Sequence, residues 1–378
     1  MRESRRSRIG AILVLLGLVA IGCRGWEDAP AASAPTAAPG ERVPFTLLLT
    51  GDVRGEIEPC GCEPPNGGLA RRVAAVRKYR AEGPVLVLEA GDALAEDVHR
   101  LDRERAQLIL EAMAATGVGA AAVGEIELAF GLDWLKKSAV AAGVPYLCAN
   151  LVDAGGKAVF PGRRIVEVGG NRIGVFAVLA LHREIPQGLT LTDPLEAARA
   201  EVRALRAEGA ELVIGLAHGS SQEVNRIARE AGADVIVPAH RRGPSDVNYL
   251  QSWVVSAGHE GRLLQVVRFD LRGEGRLVSE NVLERLELRR RDLETKIEAG
   301  RRQIPELATP AMQEEARALV QRYERELERI RKEEALLDGS SGRRFFAQFV
   351  KLDGRDGEDP VFAERVQRLA GKREATAR

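Results

Sequence analysis

No sign of charge dominates this chain: 55 Lys and Arg balance 55 Asp and Glu over 378 residues, for a formal net charge of +0. No global field therefore gathers nucleic acid or an anionic surface, and no nucleic-acid partner is expected. Aromatics are scarce, 4% against 45% hydrophobic residues, so the core must be built from Val, Leu, Ile and Ala. That is ample for one large α/β unit with appendages, while the length exceeds one typical domain. No long apolar run follows residue 21, so nothing in the body of the chain is read as spanning a bilayer.

What is present begins at the N-terminus. Arg2, Arg5, Arg6 and Arg8 precede the apolar run 9–21, short for a bilayer span and right for the hydrophobic region of a signal peptide. The run closes on Val19-Ala20-Ile21-Gly22-Cys23. This resembles a bacterial lipobox, with Ala20 where Leu is commoner. The resemblance implies a signal peptide over residues 1–23, lipidation of Cys23, and an exported body anchored to the bacterial cell envelope, facing the periplasm or the exterior. Ordinary signal cleavage nearby or an uncleaved anchor is the alternative. Residues 24–42, rich in Ala and Pro, read as a tether reaching at most ~55 Å as polyproline II. With Cys23 lipidated, Cys60, Cys62 and Cys148 remain, an odd count that leaves a thiol unpaired or metal-bound. Cys148, in an apolar segment, reads as a small core residue.

Residues 43–275 alternate short apolar runs with helical patterns, the mark of parallel βαβ units with added hairpins. Asp193, Pro194 and Glu196 spell a helix start with a capping box. Four apolar runs end in a potential ligand: Gly51-Asp52, Gly91-Asp92, Gly124-Glu125 and His218, and His240 follows a fifth. Strand carboxyl ends are where open α/β proteins build sites. Carboxylates mixed with imidazoles suit Zn, Mn or Fe. Turn residues that never converge are the alternative. Cys60-Gly61-Cys62 lies in the loop between Asp52 and a helix opening at Gly67-Gly68, and is expected to hang over the same site.

Residues 276–338 change character, dense in balanced charge with apolar residues three and four apart. They read as a helical hairpin, intramolecular or self-associating, with Met312, Ala316, Leu319, Tyr323 and Ile330, and Leu327 beside them, facing Leu286, Leu293 and Ile297. Residues 339–378 read as a loosely ordered tail with one amphipathic piece, 361–369.

The order Gly51-Asp52, Gly67-Gly68-Leu69-Ala70-Arg71, Gly91-Asp92, Gly124-Glu125-Ile126-Glu127, Ala149-Asn150-Leu151, Ala217-His218-Gly219, Ala239-His240 resembles the calcineurin-like metallophosphoesterases, nearest to the catalytic domain of the 5'-nucleotidase family. The resemblance spans residues 45–271. It implies a four-layer αββα sandwich, here with the helical hairpin appended, and a dinuclear metal site at the strand ends. Asp52, Asp92, His218 and His240 match family ligands, and Glu125 replaces a ligand Asn. The departures are Arg54 at a ligand His, Arg242 at the last ligand, Ile126 at the catalytic His and Ala129 at the Asp that orients it. Arginine keeps its proton and cannot ligate a cation. The expectation is one divalent metal (Zn, Mn or Fe) or none on Asp52, Asp92, Glu125, His218 and His240. No catalytic residue is assigned, and weak or absent hydrolysis is expected. Arg54, Arg242 and Asn150 become anion contacts for a phosphate- or sulfate-bearing small molecule, or the two arginines merely pair with Asp52 and its neighbours. A bacterial 5'-nucleotidase-like subfamily carries a similar Cys-Gly-Cys loop, and that likeness implies redox or soft-metal chemistry at Cys60 and Cys62, against an inert staple. Three classes stay open: a weak phosphoesterase, a non-catalytic anion- or partner-binding protein, and a thiol-redox or soft-metal protein.

Overall fold

The computed structural model describes residues 41–180, 185–240, 247–248, 252–338 and 342–376; Cys23, His182 and Arg242 lie outside the described residues. The chain runs β1 (Phe45–Thr50), α1 (Leu69–Glu82), β2 (Val85–Glu89), α2 (Arg103–Ala115), β3 (Val118–Ala122), α3 (Glu125–Ala129), α4 (Leu132–Ala142) and β4 (Tyr146–Leu147). It continues through β5 (Leu151–Asp153), β6 (Arg163–Val168), β7 (Asn171–Ala180), β8 (Leu189–Leu191), α5 (Pro194–Ala207), β9 (Leu212–Gly219), α6 (Ser221–Glu230) and β10 (Val235–Pro238). Last come β11 (Val247–Asn248), β12 (Trp253–Val254), β13 (Leu263–Asp270), β14 (Val278–Ser279), α7 (Glu280–Gln303), α8 (Pro310–Asp338), β15 (Arg344–Lys351) and α9 (Pro360–Thr376).

Two mixed sheets form the centre, ordered β14-β15-β13-β1-β2-β3-β4 and β11-β12-β10-β9-β7-β6, with a small β5-β8 pair apart. Alternation along β1 shows how the layers arise. Leu47 and Leu49 meet Val175, Ile214 and Leu216 of the second sheet, while Leu48 packs outward on Ala75, Val76 and Tyr79 of α1. On the far side Phe176, Val178 and Val213 pack on Leu195 and Val202 of α5 and Ile227 of α6. The result is the expected helix–sheet–sheet–helix sandwich. Asp193 caps α5, its side chain accepting the Glu196 N–H, with Pro194 in the first turn, while the Glu196 carboxylate accepts from Arg199 rather than closing the expected box. Strand β12 runs parallel to β10 and antiparallel to β11.

The C-terminal third corrects two further readings. The hairpin exists as α7 against α8, tied by Arg289–Glu326, Arg290–Glu334 and Arg301–Glu324 pairs. Its buried seam is Leu286, Leu293 and Ile297 against Val320, Leu327 and Ile330, whereas Met312 and Leu319 are 47% and 46% exposed. Leu327 is buried beside the seam as expected, and Val320 takes the inward place expected of Leu319. The tail is no loose appendage. β15 lies between β13 and β14 inside the first sheet, and α9 buries Phe362 and Val366 in the cluster that holds α2. The body expected to end at residue 275 thus draws on residues beyond it. Phe345 of β15 sits 5.6 Å from Phe269 and 5.4 Å from Trp253, fully enclosed. Phe345→Ala is expected to cost about 3–5 kcal/mol of stability, read as a lowered urea midpoint with an unchanged slope. Among the described residues no helix is long and apolar enough to cross a membrane.

Candidate metal centre

The loop after β1 is laced to the loop after β2. Asp52 N–H donates to Gly91 O, Arg54 N–H to Asp92 O and Gly55 N–H to Ala93 O, each at 2.9 Å. Two carboxylates distant in sequence are thereby set side by side. Asp52, Arg54, Asp92 and His240 all hold positive φ, between 49° and 58°. Left-handed backbone at non-glycine residues is uncommon and is kept where surrounding structure enforces it, often at functional sites. Two glycines are required on steric grounds: a Cβ at Gly124 would lie 2.2 Å from Asp92 Oδ1, and one at Gly91 2.8 Å from His218 Nδ1.

The strand-end residues do converge. Ligand atoms of Asp92, Glu125, His218 and His240 lie within 4.8 Å of one another. His218 Nε2 is 2.7 Å from Glu125 Oε2 and 3.5 Å from Asp92 Oδ1. His240 Nε2 is 2.9 Å from Asp92 Oδ2, 3.3 Å from Asp52 Oδ1 and 3.7 Å from Glu125 Oε1. Asp52 adjoins the group. Its Oδ2 accepts the His240 N–H at 2.5 Å, while its buried Oδ1 has no hydrogen-bond partner.

These contacts fix the chemistry of the group. His218 Nδ1 faces Ala90 O at 3.1 Å, and a carbonyl only accepts, so Nδ1 carries the hydrogen and Nε2 presents its lone pair to the acids. A carboxylate 2.7 Å from that lone pair needs a proton or a cation between them. Burial opposes a charge on His218, but Asp92 and Glu125 outweigh it and lift its pKa well above the usual imidazole range. Burial likewise opposes ionisation of Asp92 and Glu125. The imidazoles overcome it, and both carboxyls titrate below their ordinary values. Three acids, two imidazoles and an orphaned buried oxygen fit a divalent cation of the Zn, Mn or Fe kind.

Behind the group stands Glu127, whose role the sequence did not disclose. It is fully buried and accepts the N–H groups of Asp92, Ala93 and Gly124 at 2.9, 2.8 and 3.0 Å, pinning the two loops that carry Asp92 and Glu125. Burial, then the Asp92 charge, pushes its carboxyl up to about 7. Its spacing, three residues after a helix N-cap, is the signal that could have revealed it.

The other expected residues fare differently. Arg54 Nη2 stops 4.0 Å from Asp52 Oδ1, and its buried Nε has no partner. A cleft of about 590 Å³ opens beside it, lined by Arg100, Arg103 and Arg105 and also by Glu56, Glu96, Asp102 and Glu104. Asn150 is a correction. Both of its side-chain N–H bonds go to the carbonyls of Leu179 and Thr192, and its Oδ1 accepts the Leu179 N–H, so nothing is left for an anion. Ile126 is buried and offers the group only its backbone N–H, which Asp92 Oδ1 accepts at 3.1 Å. His259, for which the resemblance left a ligand role open, pairs with Glu260 at 3.0 Å, outside the group. Cys60 and Cys62 form a disulfide, and the described partners of their sulfurs belong to their own loop.

No family model matches the chain. Among curated proteins, the apyrase of Aedes albopictus is 39% identical over 108 residues, covering 26% of this chain and 19% of that protein. The trifunctional nucleotide phosphoesterase protein YfkN of Bacillus subtilis is 24% identical over 284 residues, covering 64% of this chain and 19% of that protein. The matched stretch is thus about a fifth of either relative's length. Among solved structures, the 5'-nucleotidase precursor from Thermus thermophilus superposes with a TM-score of 0.54 at 24% identity, over 61% of this chain and 52% of that one. The chain has the calcineurin-like metallophosphoesterase fold. Within that fold, the acids and imidazoles at the strand ends gather at one rim.

Proposed function

We propose that this chain is an exported, lipid-anchored metallophosphoesterase-fold protein that binds one divalent metal and a phosphate- or sulfate-bearing small molecule, and hydrolyses phosphoesters weakly or not at all. The observation that carries the reading is the pairing of a compact ligand group with an arginine where a further ligand would be needed. Asp92, Glu125, His218 and His240 would hold the metal, with Asp52 at its edge. When bound, a divalent ion supplies Lewis-acid polarisation of a phosphoryl or sulfuryl oxygen.

The residues of the chain do the rest. Arg54 faces the group from one side and the cleft from the other, with its Nε uncommitted, so a doubly charged oxyanion entering there meets a guanidinium fork. Glu127 keeps the loops of Asp92 and Glu125 in place. Ile126 contributes no side-chain donor to a developing charge, and loss of one such donor lowers rate by about 10²–10³. A matching experiment measures p-nitrophenyl phosphate hydrolysis with added Mn²⁺ alongside inorganic phosphate binding by calorimetry. Expected are turnover close to the no-enzyme background and metal-dependent phosphate binding that weakens about tenfold or more in Arg54→Ala. Brisk turnover abolished by Asp92→Asn would instead make this an ordinary member of the fold's enzymes. The anchor and export rest on residues 1–23 and are tested by lipid labelling of Cys23 in cells.

A further inference from the structure

The loop between β1 and α1 carries a second centre, independent of the acid–imidazole group. Cys60 and Cys62 are bonded across a single residue, Gly61. A ring that small removes little chain entropy from the unfolded state, so holding the fold together is a poor account of it. Nor does the loop lean on the bond. Cys60 N–H donates to Asn66 O at 2.8 Å, Gly67 N–H to Asn66 Oδ1 at 3.0 Å, and Arg71 Nη1 to Pro65 O at 2.8 Å. Arg71 also bonds Glu358 Oε1 at 2.8 Å, which ties the loop's base to the C-terminal segment before α9.

The two sulfurs are not equivalent. Cys62 is exposed, whereas Cys60 is half-buried and its Sγ accepts the Asn66 N–H at 3.3 Å. A sulfur that accepts an N–H is the better leaving group, because the bond stabilises the thiolate it becomes. An exposed sulfur is the one an incoming thiolate can approach in line. We propose that Cys60–Cys62 is a thiol–disulfide exchange site that takes two electrons from a dithiol, with Cys62 the sulfur attacked and Cys60 the leaving group.

The steps balance. One thiolate of the donor bonds to Cys62 Sγ, the Cys60–Cys62 bond breaks, and its electron pair leaves on Cys60 as a thiolate held by the Asn66 N–H. The donor's second thiolate then attacks the donor sulfur of the mixed disulfide, releasing Cys62 as a thiolate and closing the donor's own disulfide. The donor is oxidised by two electrons, the pair is reduced by two, and the two protons the donor gave up re-protonate the cysteines. Cys148 takes no part, being buried in the core.

The test uses the full folded chain. It is incubated with reduced glutathione, quenched in acid, alkylated and mapped by peptide mass spectrometry. The expected product carries glutathione on Cys62 and the alkyl group on Cys60, in about tenfold or greater excess over the reverse. Dithiothreitol should reduce the pair completely without changing the circular dichroism spectrum. The Cys60→Ser/Cys62→Ser double variant should melt within about 3 °C of the parent. Glutathione found on Cys60 in equal or greater amount overturns the assignment of roles. A pair that opens only when the chain unfolds, or a double variant that melts far lower, overturns the site itself by making the bond a structural staple.

Discussion

Asp92→Asn should leave the chain folded and strip it of bound divalent metal, weakening Mn²⁺ or Zn²⁺ affinity by more than about a hundredfold. Asp92 meets both imidazoles, at 3.5 Å from His218 Nε2 and 2.9 Å from His240 Nε2, and is the more deeply buried of the two acids that do so. Asparagine keeps its shape and the oxygen that accepts the Ile126 N–H, so the loop geometry has no reason to change. What is lost is a charge and an oxygen ligand at the centre of the group. Outer-shell partners of metal ligands already account for about 10–100-fold in affinity, and a central ligand exceeds them. Calorimetric titration of the apo chain reads the difference directly, and a thermal melt in chelator confirms that both proteins are equally folded. Comparable affinity in the variant would place the metal elsewhere.

Arg54→His should admit a second metal ion and raise phosphoester hydrolysis by about 10² over the parent. Arg54 stands 4.0 Å from the buried Oδ1 of Asp52, which accepts no hydrogen bond, and a permanent positive charge there repels a cation. An imidazole there offers a lone pair instead and leaves Asp52 Oδ1 free to ligate. Two metals a few ångströms apart can clamp both the attacking and the leaving oxygen, which one metal cannot do. Ile126 still supplies no donor in this variant, so the rise should stop well short of a fully equipped enzyme. Metal content and p-nitrophenyl phosphate turnover are measured on the same preparation. A variant that gains neither would show that Arg54 is not what limits the site.

How much of this was legible in the sequence follows from how far each contact reaches. Asp52, Asp92, Glu125, His218 and His240 were legible because each ends an apolar strand run, and strand ends of neighbouring parallel strands fall at one rim. Glu127 was harder, since its partners are amides of Asp92 and Ala93 on a loop far away in the chain. Asn150 misled for the same reason: its bonds to Leu179 and Thr192 depend on tertiary placement. β15 does alternate, with Phe345 and Ala347 inward, but the whole α7–α8 hairpin separates it in sequence from its partner β13. Pairing of that range leaves no local signature. The hairpin itself was plain from its period, though the seam was read one residue away from Val320.

The most direct measurement is elemental analysis of the purified full-length chain after dialysis against trace metal-free buffer. The account predicts one divalent metal per chain, removed by Asp92→Asn. Two metals per chain would contradict the blocking role given to Arg54, and none after saturation with Mn²⁺ or Zn²⁺ would contradict the metal centre itself.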